Sequence, residues 1–497
     1  MYDIAIIGGG IHGCGIARDA AGRGLSVLLA EKADLASGTS SASSKLIHGG
    51  LRYLEHYNFH LVREALRERE TLLAMAPHIA CPLRFVLPHH RGLRPAWLMR
   101  LALQLYDRLG GRSRVLPAST AVDLTRDPVG KPLRAGFMRG FTYYDCRVDD
   151  ARLVVLNAMD AAARGADIRV RTKVQAAHRA GSGWRIDLRD AVSGLCETVE
   201  ARALVNASGA WVAATGGRIK AHPAGSIRLV KGSHIVVPRL YDHDSAYVLQ
   251  NPDRRVVFAI PYEADFTLIG TTDVDCNGNL DHVAISPEEV AYLCEAANRY
   301  FSRDIAPSDA IWSYAGVRAL YDDGQASAQE TTRDFVLELD GAASGEAPLL
   351  SIVGGKLTTY RRVTEEVLAR LVPLLAVKAG PAWTRGSPLP GGDFAYGEHE
   401  RLARELVAAV PFLGQATAVR LIRRYGTMAP RMLADVKCQE DLGAHFGAGL
   451  YEREVWHLLD HEWARTADDI LWRRTKLGLR LAPDERGRLE AWLRERT

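Results

Sequence analysis

The chain has 497 residues, of which 47% are hydrophobic and 25% are charged, and its formal net charge is +4 at pH 7. This length predicts two or three folding units, and the composition is that of an ordinary globular protein. Seven scattered cysteines without a C-x-x-C pair argue against a disulfide framework or a zinc site, and we expect no metal.

The N-terminus shows neither the basic segment nor the cleavage site of a signal peptide. No uncharged apolar run approaches the ~18 residues that a membrane-spanning helix needs. We therefore expect a cytoplasmic protein whose membrane contact, if it has one, is peripheral.

The first 31 residues predict a strand, a glycine-rich turn, a helix and a second strand. Gly8, Gly10 and Gly13 form G-x-G-x-x-G, in which the glycines permit a tight turn, close approach of a pyrophosphate and close helix–strand packing. The helix N-terminus attracts phosphate charge. Glu31 follows Gly13 by 18 residues, where a carboxylate would bind an adenosine ribose. This pattern indicates dinucleotide binding.

The next segment, SGTSSASSKLIHGGLRYLEH (37–56), has the composition of a flexible linker. Its position directly after Glu31 favours another interpretation, in which its hydroxyls and Lys45 hydrogen-bond a cofactor. We predict an ordered binding strip.

The segment 91–114 mixes arginines with Trp97 and several leucines. A basic amphipathic helix of this kind can lie on an anionic membrane surface. An ordinary core helix with a charged outer face fits the same pattern, and the sequence leaves the two alternatives open. No basic stripe with interleaved aromatic residues occurs outside this segment, so we expect no nucleic-acid partner.

Two later segments favour FAD over NAD, because they return to nucleotide-fold patterns after long interruptions. ARALVNASGAW (201–211) predicts a strand that ends in a small-residue turn, and PLLSIVGGKLTTYRRVTEEVLARL (348–371) predicts a strand, a Gly-Gly turn and a helix. The N-terminus of that helix could stabilise an anionic reduced flavin.

Alternating strand patterns in 230–275 predict an antiparallel sheet over the flavin, GSPLPGGD (386–393) predicts a linker, and the region beyond it has helical periodicity. We predict three units with these bounds: an FAD-binding domain of 1–75, 145–225 and 315–385; a substrate-binding domain of 76–144 and 226–314; and a helical C-terminal domain of 390–497.

The sequence resembles the FAD-dependent, aerobic-type glycerol-3-phosphate dehydrogenases. The resemblance rests on motifs in order along nearly the whole chain, among them GGGIHGCGIARDAAGRGLSV, TSSASSKLIHGGLRYLEH, DCRVDDARL, RLVKGSHIVVP, IGTTDVD, SYAGVRALYDD, TTRDF, GGKLTTYR and HEWARTADDILWRRTKLG. Two departures, NASGAW for the family's usual Asn-Ala-Thr-Gly and Ala319 where proline is common, are conservative or peripheral.

The resemblance implies an α/β fold. It would combine a Rossmann-type FAD-binding domain of the glutathione-reductase-like and D-amino-acid-oxidase-like class, an antiparallel substrate domain and an α-helical C-terminal cap. The implied reaction oxidises C2 of sn-glycerol 3-phosphate to dihydroxyacetone phosphate, with FAD as cofactor and a membrane quinone as acceptor. A homodimer on the inner face of the cytoplasmic membrane is also implied.

The predicted cofactor residues are those of the motifs that the flavin site would use: Gly8, Gly10, Ile11, Gly13, Glu31, Lys32, Thr39, Ser40, Ser41, Ser43, Lys45, Leu46, His48, Gly49, Gly50, Val174, Ser208, Gly209, Gly355, Lys356, Leu357 and Thr358. The reaction also needs cations for a phosphate dianion and a base for the C2 hydroxyl. The predicted substrate residues are Arg52, Tyr53, His234, Arg318, Arg333 and Lys356.

Of these, His234, Arg318 and Lys356 are predicted to be catalytic. His234 is the first choice for the base because a neutral imidazole accepts a proton near neutral pH. Arg318 would help by stabilising the developing alkoxide. His48 is the competing base, although its place in the Ser-rich segment favours a role beside the flavin.

Three other functions stay open. One is an oxidase of the same substrate that uses O₂ and releases H₂O₂. Another is an amino-acid or 2-hydroxy-acid oxidoreductase, which several converging cations disfavour. The last is a non-catalytic binding protein similar to the dissociation inhibitors of lipidated GTPases, which lack an intact flavin site.

Overall fold

We describe a computed structural model that covers residues 1–111, 113, 115–219, 226–322, 334–342 and 344–496, apart from the side chains of residues 52, 55 and 56. The strands are β1 Tyr2–Ile7, β2 Val27–Ala30, β3 Leu46–Ile47, β4 Ala80–His89, β5 Thr120–Asp123, β6 Arg139–Val148, β7 Asp167–Arg169, β8 Thr172–Ala180, β9 Gly183–Asp190, β10 Cys196–Asn206, β11 Ile227–Pro238, β12 Ala246–Gln250, β13 Val256–Tyr262, β14 Phe266–Gly270, β15 Val274–Asp275, β16 Trp312–Tyr321, β17 Phe335–Asp340, β18 Leu349–Gly354, β19 His445–Gly447 and β20 Leu450–Tyr451.

The helices are α1 Ile11–Gly22, α2 Phe59–Met75, α3 Ala96–Leu109, α4 Asp150–Ala163, α5 Val212–Arg218, α6 Pro287–Asn298, α7 Tyr360–Leu371, α8 His399–Ala409, α9 Gln415–Tyr425, α10 Met428–Met432, α11 Glu452–Glu462 and α12 Pro483–Arg494. Short 3₁₀ turns and one π-helical segment, Asp469–Arg474, join them. Among the described residues, no helix is both long and apolar enough to cross a membrane.

The first sheet is the nucleotide-binding sheet. Its central strands β18, β10, β1, β2 and β7 are parallel, with β17 antiparallel at one edge. Strands β1, β2 and β18 are largely buried, and α1, α4 and α7 pack on the sheet to form one apolar core. The predicted N-terminal strand–helix–strand unit and the strands near 201 and 349 are confirmed, because β1, α1, β2, β10 and β18 lie there.

The second sheet runs β15-β11-β14-β13-β12-β4-β6-β3, with β16 beside β11 and β5 beside β6. Most neighbours are antiparallel, while β12 and β4 are parallel. Separate apolar clusters cover its two faces. This sheet presents β11 and β16 to the Ser-rich strip, since the strip residue Ala42 packs against the backbone of β16 at Gly316.

The C-terminal helices α8–α12 form a third core around residues such as Leu421, Leu458 and Ile470. Buried ion pairs join this region to the rest of the molecule. Arg152 and Glu462 pair with both side chains fully buried, and Arg474 binds Asp34 at 2.8 Å. Breaking such a pair leaves a buried charge without its partner, so these contacts fix how the C-terminal helices dock.

The predicted linker 386–393 is packed rather than free. The buried guanidinium of Arg18 donates to the carbonyl oxygens of Ser387 and Pro388, and Leu389 N donates to Met75 O at 2.9 Å. The residue bounds of the three predicted domains stay predictions.

Candidate active site

The glycine loop between β1 and α1 has no room for side chains. Gly8 has φ +114°, a conformation that L-residues rarely adopt, and a Cβ on Gly13 would clash with the carbonyl oxygen of Gly8. No acidic residue stands in the first turn of α1, so its positive end is left for an anion. The local geometry therefore fits a pyrophosphate at Gly10 and Ile11.

Glu31 lies at the end of β2 and is held by the loop itself. Its two carboxylate oxygens accept from Gly9 N at 2.6 Å and Ala33 N at 2.8 Å. Burial raises the pKa of Glu31, and these amide donors offset the rise only in part. Ribose hydroxyls would add donors to a carboxylate that is already oriented. Its neighbour Lys32 instead pairs with Asp281 and lies over the ring of Trp211.

We call the glycine loop, the start of α1 and Glu31 the cofactor cradle. His12 belongs to this cradle, although the sequence did not single it out. Its Nε2 atom is buried and has no hydrogen-bond partner in the part of the chain that the structure describes. Burial lowers the pKa of His12 to about 4, so the ring is neutral. A Cβ on Gly355 would lie 2.6 Å from its Cε1 atom, which places the Gly-Gly turn after β18 beside the start of α1. An unpaired buried nitrogen in this position is available to a bound ligand.

The first half of the Ser-rich strip forms a 3₁₀ turn, Thr39–Ser41, over the start of α1. Ser40 Oγ accepts from Ile11 N at 3.0 Å, whereas Thr39 Oγ1 donates to the carbonyl of Val317 on β16. The turn is therefore tied to both the glycine loop and the second sheet. These contacts show the strip as ordered chain and not as a tether.

Ser43 and Lys45 direct their polar atoms to Asp150, a fully buried residue at the start of α4. Lys45 Nζ lies 2.9 Å from Asp150 Oδ1 and also donates to Ser41 O, and Ser43 Oγ donates to Asp150 Oδ2 at 2.8 Å. The pyrophosphate contacts predicted for Ser43 and Lys45 would have to compete with this buried ion pair. Asp150 received no predicted role, although it stands in the motif DCRVDDARL.

The second half of the strip passes along the edge of the second sheet as β3. Leu46 pairs with Arg147 of β6, His48 N donates to Thr358 Oγ1 at 3.2 Å, and Gly49 N donates to Tyr106 OH at 2.8 Å. Each of these bonds joins the strip to a distant segment. Gly50, at φ +75°, then turns the chain into the 3₁₀ turn Leu51–His56.

The remaining predicted cofactor positions are distributed around the nucleotide-binding sheet. Val174 lies buried on β8, Ser208 Oγ donates to Asn206 Oδ1 at 2.6 Å, and Gly209 has φ +57° at the turn after β10. Leu357 and Thr358 lie in the 3₁₀ turn Leu357–Thr359 that leads into α7.

His234 is buried at the centre of β11, opposite Tyr314 of β16 and Gly270 of β14. Its Nε2 lies 2.8 Å from Ser44 Oγ, and its ring stacks on Tyr314 with centroids 4.9 Å apart. Its Nδ1 is buried and has no partner among the described residues. Burial, with the charges of Lys45 and Arg318, holds the pKa of His234 well below its usual range. The imidazole is therefore neutral.

Arg318 of β16 extends its guanidinium over the face of β11 that carries His234. A Cβ on Gly232 would approach its Nη2 atom at 2.8 Å, and residues 232 and 234 share one face of the strand. Arg318 Nη1 also pairs with Asp273 Oδ1 at 2.5 Å. Gly232 and Gly270 thus leave the space that the guanidinium and the imidazole fill.

Tyr53 and Lys356 form a second group. Lys356 Nζ lies 3.8 Å from the centre of the Tyr53 ring, a cation–π contact that brings the 3₁₀ turn Leu51–His56 to the Gly-Gly turn after β18. A Cβ on Gly50 would clash with the same ring. The side chain of Arg52 and the whole of Arg333 lie outside the described residues.

Comparisons with known proteins agree with this geometry. Residues 3–361 match the family model of FAD dependent oxidoreductases, and residues 382–489 match that of the C-terminal domain of alpha-glycerophosphate oxidase. A glycerol-3-phosphate dehydrogenase of Pseudomonas aeruginosa is 53% identical over 99% of this chain and 95% of its own length. The chain belongs to the FAD-dependent glycerol-3-phosphate dehydrogenase family.

Two further relatives define the breadth of the family. A D-erythritol 1-phosphate dehydrogenase of Brucella abortus is 48% identical over 99% of this chain and 97% of its own length. The structure of a glycerol-3-phosphate dehydrogenase of Bacillus halodurans, complexed with FAD, is 26% identical with a TM-score of 0.75 and covers 100% of this chain and 94% of that one. The predicted fold class and the FAD cofactor are confirmed.

The residues present fit FAD. The glycine loop leaves space for a pyrophosphate, Glu31 is oriented for a ribose, and His12 carries an unpaired buried nitrogen beside the Gly-Gly turn. When bound, FAD supplies the acceptor for a hydride. Sequence reasoning missed His12, Ser44, Asp150 and Tyr314, which lie within the quoted motifs but received no role there. Only their neighbours in space reveal them.

Proposed function

We propose that this protein oxidises C2 of sn-glycerol 3-phosphate to the ketone of dihydroxyacetone phosphate. The observation that carries the proposal is a neutral, buried imidazole in a cation-lined site. His234 of β11 and Arg318 of β16 lie on the same face of the second sheet, and Lys45 lies close enough for its charge to affect the imidazole. Neutral His234 suits the base, and Arg318 suits the oxygen that becomes negative as its proton leaves.

His234 Nδ1 is the atom proposed to take the hydroxyl proton. If Nε2 donates its proton to Ser44 Oγ, the lone pair rests on Nδ1, the nitrogen without a partner among the described residues. The contact with Ser44 and the stack on Tyr314 hold the ring in place. Arg318 then stabilises the oxygen as it becomes negative.

Lys356 and Tyr53, together with Arg52 and Arg333 from outside the described side chains, are proposed to bind the substrate phosphate. The cation–π contact keeps Lys356 oriented without neutralising its charge. Asp273 holds the guanidinium of Arg318 by an ion pair to Nη1, and its negative charge offsets part of the positive charge of the arginine. The substrate would therefore meet cations that already have fixed positions.

Anaerobic bleaching of the flavin tests the proposed substrate. We expect glycerol 3-phosphate to bleach it, and glycerol and lactate to leave it yellow. D-Erythritol 1-phosphate is the informative fourth compound, because a relative named for it is nearly as similar as the glycerol-3-phosphate dehydrogenase. Bleaching by the four-carbon phosphate alone would overturn the proposed substrate.

A membrane quinone is the proposed acceptor, and O₂ is the rival. Rapid anaerobic reoxidation of the bleached protein by a short-chain quinone, with slow reoxidation in air, is the expected result. Prompt reoxidation in air with release of H₂O₂ would show an oxidase instead.

The outer face of α3 supports a peripheral membrane contact. Trp97, Leu101 and Leu105 are 69%, 54% and 37% exposed and stand four residues apart, so they form one apolar stripe. Leu103 and Tyr106 are buried on the other side of the helix. Arg108 is exposed beside the stripe, and Asp107 is turned to Ser119. A surface of this kind fits an anionic lipid interface. Arg112 and Arg114, the last basic residues of this segment, lie outside the described residues.

Vesicle sedimentation at low salt tests the contact. We expect the protein to pellet with anionic vesicles and the variant Trp97→Ser/Leu101→Ser/Leu105→Ser to remain in solution. Val192→Ser/Leu195→Ser is the matched control, since these residues are 76% and 73% exposed in a surface turn elsewhere. Equal pelleting of the α3 variant and the wild type would refute the lipid surface. The homodimer stays a prediction that light scattering of the purified protein can check.

A further inference from the structure

A row of four aromatic rings joins the proposed base to the C-terminal helices. His234 of β11 stacks on Tyr314 of β16, with ring centroids 4.9 Å apart. The centroid of Trp312 lies 4.9 Å from that of Tyr314, with the planes tilted by 44°. Trp472 then stacks on Trp312 at 4.6 Å, with the planes 19° apart. We call these four side chains the ring ladder.

The second sheet positions three rings of the ring ladder. Tyr314 stands directly opposite His234 in the antiparallel pairing of β16 with β11, so the two rings leave the sheet side by side. Trp312 and Tyr314 are alternate residues of β16 and therefore project from the same face. The fourth ring comes from another domain, and its place depends on how the C-terminal helices dock.

Trp472 has a fixed place because the segment that carries it is anchored. It lies in the π-helical segment Asp469–Arg474, and π-helices are rare and frequent at functional sites. Arg473 and Arg474 both bind Asp34, at 2.6 and 2.8 Å. Asp34 is buried between β2 and the Ser-rich strip. The segment is therefore held to the nucleotide-binding domain directly beside the indole.

The indole of Trp472 also packs against its own chain. A Cβ on Gly478 would lie 2.7 Å from the Cε2 and Cζ2 atoms of the indole, closer than carbon atoms approach without a shift. The glycine therefore leaves the room that the indole needs beside Trp312. A methyl group at position 478 would displace the ring.

A second connection from the C-terminal helices to Tyr314 passes through buried charges. Lys476 is 1% exposed and pairs with Asp149 at 3.1 Å. The next residue, Asp150, pairs with Lys45 at 2.9 Å. Lys45 Nζ in turn lies 4.8 Å from the centre of the Tyr314 ring. The C-terminal helices therefore reach Tyr314 through both rings and ion pairs.

The orientation of the imidazole decides whether it can accept the proton. A displacement of ~1 Å at a reacting group can cost about 10² in rate. The hydroxyl of Tyr314 donates to Ser43 O at 2.8 Å, which fixes one end of the tyrosine. The plane of its ring, on which His234 stacks, is set by the rings packed beside it.

We propose that Trp472 is a positioning residue for the proton transfer, an inference that rests on the proposed function. Acting through Trp312 and Tyr314, it holds the imidazole of His234 in the orientation that the base needs. The C-terminal helices thereby take part in the reaction through packing, while the proton goes to His234.

Stopped-flow bleaching of the FAD-loaded protein by glycerol 3-phosphate tests this role, because this half of the reaction needs no electron acceptor. We expect Trp472→Leu to lower the limiting bleaching rate about tenfold, the loss of one good aromatic contact, with the half-saturating substrate concentration unchanged. Trp472→Phe keeps a ring and should recover most of the rate. Trp492→Leu is the matched control. Trp492 is a half-buried indole of α12 that contacts the rings of Phe446 and Trp456, and its variant should bleach as the wild type does.

A double-mutant cycle shows whether Trp472 acts through Tyr314. In Tyr314→Leu the ring ladder is already interrupted, so adding Trp472→Leu should lower the rate by less than about twofold more. Gly478→Ala keeps all four rings but displaces the indole, and it should also bleach more slowly than the wild type. Wild-type rates in both Trp472→Leu and Gly478→Ala would overturn the role. So would additive losses in the cycle, or an equal loss in Trp492→Leu.

NMR of protein with isotopically labelled histidine rings separates this inference from the proposed function. The His234 signals are those that His234→Gln removes. We expect them to move in Trp472→Leu and to stay in place in Trp492→Leu, since the ring ladder orients the imidazole whatever compound is oxidised. Unmoved His234 signals in Trp472→Leu would overturn the inference. Failure of glycerol 3-phosphate to bleach the wild type would instead overturn the proposed substrate, and the NMR result would still stand.

Discussion

The cofactor cradle and the cluster around His234 differ in how far along the chain their contacts reach. Gly9 and Glu31, which hydrogen-bond in the cradle, are 22 positions apart. Ser44 and His234 are 190 positions apart, and Ser43 and Tyr314 are 271 apart. The cradle is a local motif whose parts fold together, whereas the cluster exists only after the second sheet has formed and the Ser-rich strip has packed against it and against α4.

This difference predicts how each region fails. The cradle depends on backbone space at a few glycines, so one added methyl group should destroy it. The cluster around His234 depends on several hydrogen bonds and on stacked rings. A single substitution should therefore remove only part of its stabilisation and of its activity.

The largest effect is expected for Gly13→Ala. Its Cβ would clash with the carbonyl oxygen of Gly8, and that backbone cannot move without opening the β1–α1 turn. We expect a colourless protein without FAD and without activity, measured by flavin absorbance after purification. Gly487→Ala, where a Cβ meets nothing within 4 Å, should keep its flavin. A yellow Gly13→Ala protein would show that the loop is not limited by space.

His234→Gln should lower turnover by about 10²–10⁴, the range for loss of a general base, with flavin content unchanged. Because burial and two cations hold the pKa of His234 below its usual range, the imidazole loses activity by protonation only in acid. In the wild type, the acid limb of kcat/KM should therefore lie below pH 6.5, the ordinary value for histidine. If turnover is retained and only flavin content falls, the base must be sought elsewhere, His48 first.

Asp150→Asn should destabilise the protein by about 3–5 kcal/mol, because it leaves the buried ammonium of Lys45 without its counter-charge. Denaturant unfolding measures this loss. Lys45→Met/Asp150→Leu removes both charges and should recover most of it. Additive losses in that double variant would mean that the two side chains do not act as a pair.

Tyr314→Phe should have the smallest effect, about 1 kcal/mol in the free energy of unfolding, since it deletes one hydrogen bond to Ser43 O and keeps the ring on His234. Turnover should change less than in His234→Gln. Tyr314→Leu, which also removes the stacked ring, should lower turnover further. If the two variants are equally active, the stack does not position the imidazole.

Much of the site could be predicted from the sequence, because many of its residues lie in recognisable motifs. The N-terminal strand, helix and strand were predictable from periodicity and glycine spacing, and the structure has them at Tyr2–Ile7, Ile11–Gly22 and Val27–Ala30. The Ser-rich strip was interpreted as ordered, which its bonds to Ile11 and Val317 bear out. The ion pair of Lys45 could not be predicted, because nothing in the spacing of the strip points to its partner Asp150.

What the sequence by itself determined is the part of the protein that backbone geometry encodes locally: the glycine turn, the acid at its edge, the strands of the nucleotide sheet and hence the cofactor class. Only the tertiary structure decided that Asp150 holds Lys45, that Tyr314 stacks on His234 and that Trp472 stacks on Trp312. The physical reason is that burial, pairing of charges and stacking of rings depend on distance in space, and residues hundreds of positions apart leave no periodic trace of such contacts in the chain.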